Sequence, residues 1–144
     1  MLLVPTFLAT SPLHGVGLFA QEYVAEGKRI WEFTPGFDLE LSAEQLQRLA
    51  EACRQRLLAY AYYNATKVRY IRCSDDARLI NHSDRPNTHD VGFGGQVEGI
   101  TLAARNIAAG EEITSDYRAF DQSGDILIPQ PLPIPPGKPE HSIR

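Results

Sequence analysis

Two short stretches hold the residues best suited to chemistry. The first is Asn81-His82-Ser83-Asp84-Arg85-Pro86-Asn87. The second, Glu112-Ile113-Thr114-Ser115-Asp116-Tyr117, lies further along the chain. Asn81 brings an amide with donors and an acceptor, and His82 adds a polar ring. Pro86-Asn87 fixes the exit of the segment. By composition alone the same residues suit a capped surface turn, since Asn, Ser, Asp and Pro all favour turns. Tyr117 follows an acidic, β-branched segment. A tyrosine there serves packing as readily as chemistry. An amide and a phenol that share a pocket could bind and align polar reactants.

Two other chemistries compete for nearby residues. Cys73, His82 and His89 could be metal ligands, but eight and six residues separate them. Zinc sites use paired short spacings, so no metal is expected. Gly15-Val16-Gly17, with Ala20, fits the Gly-x-Gly-x-x-Ala dinucleotide fingerprint. That pattern needs a strand before it and a helix after it. Pro12 precedes it, and residues 21–33 read as strand, turn and strand around Gly27. A dinucleotide enzyme is therefore the weakest of three readings.

The elements that must position these residues are mostly short strands, predicted over 2–8, 16–20, 29–33, 68–72, 97–103 and 112–116. Residues 77–80 read as one more apolar strand leading into Asn81. Two turns echo each other, 24–30 and 107–113, each with a glycine at the return. One amphipathic helix is predicted over about 43–59. Ser42 is its N-cap, Gln45 its capping-box partner, and Leu41 and Leu46 a hydrophobic staple. Leu46, Leu49, Ala50, Cys53 and Leu57 fall on one face, which makes Cys53 a buried packing residue. Gly92-Phe93-Gly94-Gly95 reads as a flexible tip. Residues 123–144 form a Pro-rich, extended tail after a single domain at 1–122.

The bulk numbers agree with one globular domain: 144 residues, 43% hydrophobic. A net charge of -4 without a basic cluster argues against direct nucleic-acid binding and favours a basic protein or peptide partner. Two cysteines are too few for a disulfide framework, so a reduced, cytoplasmic setting is expected. The apolar opening lacks a basic flank and is broken by Pro5, so it reads as a strand and not as a signal peptide. No apolar run reaches the ~18 residues of a membrane span, so no membrane role is expected.

Taken together, Asn81-His82-Ser83 with Pro86-Asn87, the Tyr117 segment and Gly15-Val16-Gly17 resemble the signature segments of the SET domain family, the protein-lysine N-methyltransferases. The resemblance covers roughly residues 5–120. It implies a mainly β, SET-like β-clip fold of several small sheets, with the helix inserted and a knot-like crossing of the two C-terminal segments. It implies S-adenosyl-L-methionine as cofactor and methylation of a lysine amine in a protein substrate. His14, Gly15, Val16, Gly17, Asn81, His82 and Tyr117 would then hold the cofactor. Tyr117 would be catalytic, and Arg78 and Asn87 would brace the turn. The substrate channel would draw on Phe33, Tyr63, Tyr70, Ser115 and Phe120, with Tyr60 and Tyr62 as further aromatics. The chain departs from the pattern at His14, Val16, Phe33 and Ser115. The small Ser115, where relatives usually carry Phe or Tyr, implies room for di- or trimethylation. The Cys-rich zinc segment of many eukaryotic relatives is missing, as in small bacterial members. The departures also leave room for a non-catalytic module that binds cofactor or a basic peptide.

Overall fold

A computed structural model of the chain describes residues 1–92 and 99–121. In chain order it opens with β1 (Thr6–Thr10), β2 (Val16–Ala20), β3 (Arg29–Glu32) and β4 (Leu39–Leu41). Two helices follow, α1 (Ala43–Gln47) and α2 (Glu51–Leu58), then β5 (Ala61–Asn64) and β6 (Arg69–Arg72). The rest is β7 (Asn81–His82), β8 (Thr88–Val91), β9 (Ile100–Ala103) and β10 (Thr114–Ser115). Short 3₁₀ turns at Asp76–Leu79 and Tyr117–Ala119 flank β7 and β10.

These strands build four small sheets: β1 with β2, β3-β9-β8, β4-β6-β5, and a parallel pair of β7 and β10. The architecture is thus mainly β, as expected. The β1–β2 hairpin turns through Gly15, whose φ of +51° lies where only glycine is unstrained. The two echoing turns pair with each other. Val24 donates to the Ile107 carbonyl and Ile107 to the Val24 carbonyl, both at 2.9 Å. Leu18, Ile30, Ile107 and Ile113 lose all solvent contact between these turns and the sheets. Each such side chain contributes about 1.5–3 kcal/mol when buried.

Several local expectations need correction. The predicted 43–59 helix is two helices. Ser42 caps α1 as expected, with Gln45 closing the capping box. The chain then breaks at Ala50, which is extended (ψ 142°). No Gly or Pro forces this, so tertiary packing overrides the helical propensity. Leu46 is buried, but α2 has no buried residue. Cys53 is exposed rather than packed in the core, because the break shifts the phase of its stripe. The 77–80 segment is a 3₁₀ turn, not a strand. Asp75 caps it by accepting from the Ala77 N–H at 3.1 Å. Val68 does not begin β6. It sits at φ +54° in the hairpin return, a conformation hostile to β-branched residues. The first strand starts at Thr6 because Pro5 offers no N–H, while Leu2 makes an isolated bridge to Trp31. The last strand is only Thr114–Ser115 rather than 112–116, and Tyr117 opens the 3₁₀ turn that follows it. The 123–144 tail, residues 93–95 of the glycine tip and the start of the 97–103 strand lie outside the described residues.

Candidate active site

The parallel pair carries the site. Thr114 lies opposite Asn81 and Ser115 opposite His82, and the Ser83 N–H extends the ladder to the Ser115 carbonyl at 3.0 Å. Two isolated dipeptides would not hold together. Asn87 supplies the clamp: its Oδ1 accepts from the Thr114 N–H at 2.8 Å and its Nδ2 donates to the Glu112 carbonyl at 2.7 Å. Its Nδ2 also donates to Glu111 Oε1 at 3.1 Å. Arg105, hydrogen-bonded to that carboxylate, holds Glu111 below the ordinary carboxylate range. Asn87 is 2% exposed and fully satisfied, which explains why the segment exits through an asparagine. Arg78 likewise braces its own turn, donating to the Asp75 carbonyl at 2.7 Å.

Asn81 works on the far side of the same seam. Its Nδ2 reaches the His14 carbonyl at 3.0 Å, the Val16 carbonyl at 3.3 Å and Glu112 Oε1 at 2.8 Å. The amide therefore ties the glycine turn to the second signature segment. Its oxygen has no protein partner among the described residues. Glu112 is held from the other side by the Ser11 hydroxyl at 2.9 Å.

This network gives Gly17 a role distinct from Gly15. A Cβ on Gly15 would meet nothing within 4 Å, whereas one on Gly17 would overlap the Glu112 carboxylate, 2.8 Å from its carbon. Glu112 cannot swing aside without releasing Asn81 and Ser11. Gly17→Ala is therefore expected to destabilise the fold by about 1–3 kcal/mol. Urea denaturation checks this, and the loss should largely vanish when Glu112→Gly is present in both members of the comparison. An unchanged midpoint in the single variant contradicts the packing.

Tyr117 is anchored at three points. Its N–H donates to His82 Nδ1 at 3.2 Å, and its hydroxyl donates to the Ile80 carbonyl at 2.7 Å. Its ring lies 5.4 Å from the His82 ring and 5.7 Å from that of Phe120. Burial pushes the phenol up to about 12, so it keeps its proton at any working pH. Asp116 caps the 3₁₀ turn, accepting from the Arg118 N–H at 3.0 Å. Arg118 beside it lowers its carboxyl below the usual value.

A cavity of about 740 Å³ opens between these parts. His14, Gly15, Val16, Asn81, Ser115, Tyr117 and Phe120 all line it. Gly17 and His82 stand behind the lining. Phe33, Tyr63 and Tyr70 do not line it. Alternation along β5 turns Tyr62 toward the cavity and leaves Tyr63 against Tyr70, with ring centroids 5.0 Å apart. Phe33 instead packs under the Lys67 ammonium, 5.4 Å from its ring centre. In their place Tyr60, Tyr62 and Trp31 supply the aromatic wall, with Tyr62 and Phe120 edge to face at 5.2 Å. Asp90 and Thr101 also line the cavity and carried no local signal in the sequence, and Cys73, weighed there only as a metal ligand, lines it too. Burial, reinforced by Asp38 and Asp75, pushes the Cys73 thiol far above its ordinary value, so it stays an inert wall group. Among the described residues no cluster of three or more His, Cys, Asp or Glu side chains is arranged for a metal ion. No described helix is long and apolar enough to cross a membrane.

Small sheets around a paired seam, with an amide and a phenol on one cavity, define a β-clip type of domain. The chain belongs to the SET domain family, matching it over residues 15–118. It is 30% identical over 132 residues to the "Histone-lysine N-methyltransferase, H3 lysine-4 specific" of Yarrowia lipolytica, covering 87% of this chain and 11% of the relative. It is 27% identical over 121 residues to human "Histone-lysine N-methyltransferase 2D", covering 83% of this chain and 2% of the relative. The chain thus spans only a small part of the length of these relatives. The fold is shared with a chain of the Chaetomium thermophilum Polycomb Repressive Complex 2, with a TM-score of 0.63 at 22% identity. That match covers 83% of this chain and 16% of the other.

Proposed function

We propose that this chain is a protein-lysine N-methyltransferase that uses S-adenosyl-L-methionine. The observation that carries the reading is the pairing of β7 with β10, which puts the Asn81 amide and the Tyr117 phenol on one cavity. The cavity's size, about 740 Å³, falls within the range of small-molecule sites. Open space over Gly15 leaves backbone accessible on the same wall. His14, Gly15, Val16 and Asn81 would hold the cofactor there, with His82 supporting the seam. When bound, the cofactor supplies a methyl group already activated on a sulfonium.

What the chain's own residues must do follows from the acceptor. A free lysine has a pKa near ~10.4, so presenting it neutral at pH 8 costs roughly 3 kcal/mol. The aromatic wall of Tyr62, Tyr117 and Phe120 lowers that cost by excluding water. Tyr117, fixed through Ile80 and His82, orients the amine and offers its oxygen to weak C–H contacts. Holding both reactants in line provides the entropic share of the rate. Ser115 narrows this region little, and its hydroxyl is turned to Thr88 Oγ1 at 2.6 Å. Mass spectrometry of a modified substrate is therefore expected to show di- or trimethylated lysine. A product stopping at one methyl contradicts that reading of Ser115.

The substrate is a protein or peptide with an accessible lysine in a basic context, which the net charge of -4 favours. The two free thiols suit a reduced, cytoplasmic setting. The test is transfer of labelled methyl from S-adenosyl-L-methionine to Lys-rich proteins, beside titration with S-adenosylhomocysteine. Label on lysine supports the enzyme. Saturable binding with no transfer to any substrate leaves a binding module instead.

A further inference from the structure

Most of the cavity wall is apolar, aromatic or backbone, and its charged side chains are almost all engaged. Arg78 donates to the Asp75 carbonyl at 2.7 Å, and Asp121 Oδ1 accepts from the Tyr63 N–H at 3.2 Å. Asp90 differs. It stands on β8 directly opposite Thr101 on β9, and Thr101 stands opposite Trp31 on β3. The three therefore form one row across the sheet, and all three line the cavity. Thr101 Oγ1 donates to Asp90 Oδ1 at 2.5 Å. Asp90 Oδ2 and Trp31 Nε1 are buried with no hydrogen-bond partner among the described residues.

A buried carboxylate with one oxygen unpaired is unfavourable for the fold alone. Burial already raises its proton affinity, to a pKa of about 6 against an ordinary 3.8. It remains an anion near pH 8, and among the described residues no ion pair neutralises it, although the neighbouring His89 offsets burial in part. Groups that weaken the fold without a local benefit are expected where function needs them. Both reactants of the proposed reaction bring a positive charge into this cavity: the sulfonium of the cofactor and the ammonium of the incoming lysine. Two cations in one water-poor space repel each other, and an anion in the wall offsets that repulsion.

We propose that Asp90 is the counter-anion of this cavity, its carboxylate in the wall offsetting the charge of a cationic group of the bound reactants. Thr101 orients the carboxylate by occupying the other oxygen. This rests on the methyltransferase reading. Asp90 acts on docking rather than on the methyl transfer, since a carboxylate favours the charged form of an amine. It is thus a positioning residue, and its signature lies in binding.

The experiment compares wild type with Asp90→Asn and Asp90→Glu. Three readouts are taken: Kd for S-adenosyl-L-methionine and for its neutral product S-adenosylhomocysteine, KM and kcat for a Lys-rich peptide, and the melting temperature. If Asp90 faces the ammonium, Asp90→Asn raises KM for the peptide about ten- to a hundredfold with little change in kcat. If it faces the sulfonium, Asp90→Asn weakens the cationic cofactor by a similar factor and leaves the neutral product unaffected. In both cases Asp90→Glu recovers part of the loss, and Asp90→Asn melts at or above the wild-type temperature. Either pattern supports the proposal. It is overturned if no Kd or KM moves by more than about twofold, or if Asp90→Asn lowers the melting temperature and weakens both cofactor forms equally. The methyltransferase reading then still stands on wild-type binding and transfer. If wild type neither binds S-adenosylhomocysteine nor transfers label, that reading falls, and this proposal with it.

Discussion

Replacing Tyr117 by Phe is expected to slow methyl transfer at least a hundredfold, about 2.7 kcal/mol of lost transition-state stabilisation. The variant keeps the ring, its 5.4 Å approach to His82 and its 5.7 Å approach to Phe120, because none of these involves the hydroxyl. What disappears is the oxygen that would meet the polarised methyl and the amine. The same change strips the Ile80 carbonyl of its donor at 2.7 Å. Ile80 is buried, so a stability loss of about 1–3 kcal/mol accompanies the change. That loss must be separated from the rate. Binding of S-adenosylhomocysteine, measured by calorimetry, should stay within about threefold of wild type, with the rate taken well below the melting temperature. The rate loss should also be the same at every working pH, since burial holds the phenol neutral up to about 12. A pH-dependent loss would assign the hydroxyl to proton transfer, and equal labelling by both proteins would remove Tyr117 from the active site.

Features set by neighbouring residues were legible in the chain. β2 runs over the predicted residues, Ser42 and Gln45 cap the helix they were expected to cap, and the echoing turns each return through a glycine of positive φ. What failed depended on partners distant in sequence. Nothing local says that α1 and α2 break at Ala50, since every residue there favours a helix. Nothing local decides which of two adjacent tyrosines faces the cavity. One residue of phase exchanges Tyr62 for Tyr63, and strand alternation does the rest. Asp90 was invisible because its setting comes from Thr101 and Trp31 on two other strands. The pairing of residues 81–82 with 114–115 was expected from the resemblance and not from periodicity. Phe33 was placed the same way, with Tyr63 and Tyr70 as substitutes for the hydroxyl it lacks, and the geometry leaves those three off the cavity wall.

Asn81→Ala is expected to weaken cofactor binding and lower the stability together. Three acceptors lose their donor: the His14 carbonyl, the Val16 carbonyl and Glu112 Oε1. Glu112 keeps the Ser11 hydroxyl at 2.9 Å, which leaves its other oxygen unpaired against Gly17. A hydrogen bond to a charged acceptor contributes about 1.5–3 kcal/mol, so a stability loss of about 3 kcal/mol is expected in urea denaturation. The glycine turn is then tied to the second segment by the Ser11–Glu112 bond and backbone contacts alone, and affinity for S-adenosylhomocysteine should fall at least tenfold. Asn81→Asp separates size from charge. It keeps the shape, lacks the donor and sets a second carboxylate against Glu112, so it should be the worse of the two at neutral pH. Adding Glu112→Gln to Asn81→Asp removes that repulsion, and it should recover more stability than the same change added to Asn81→Ala. Undiminished binding of S-adenosylhomocysteine by Asn81→Ala would break the link between this amide and the cofactor. The seam would then be structural only, because the turn it holds would prove indifferent to the ligand.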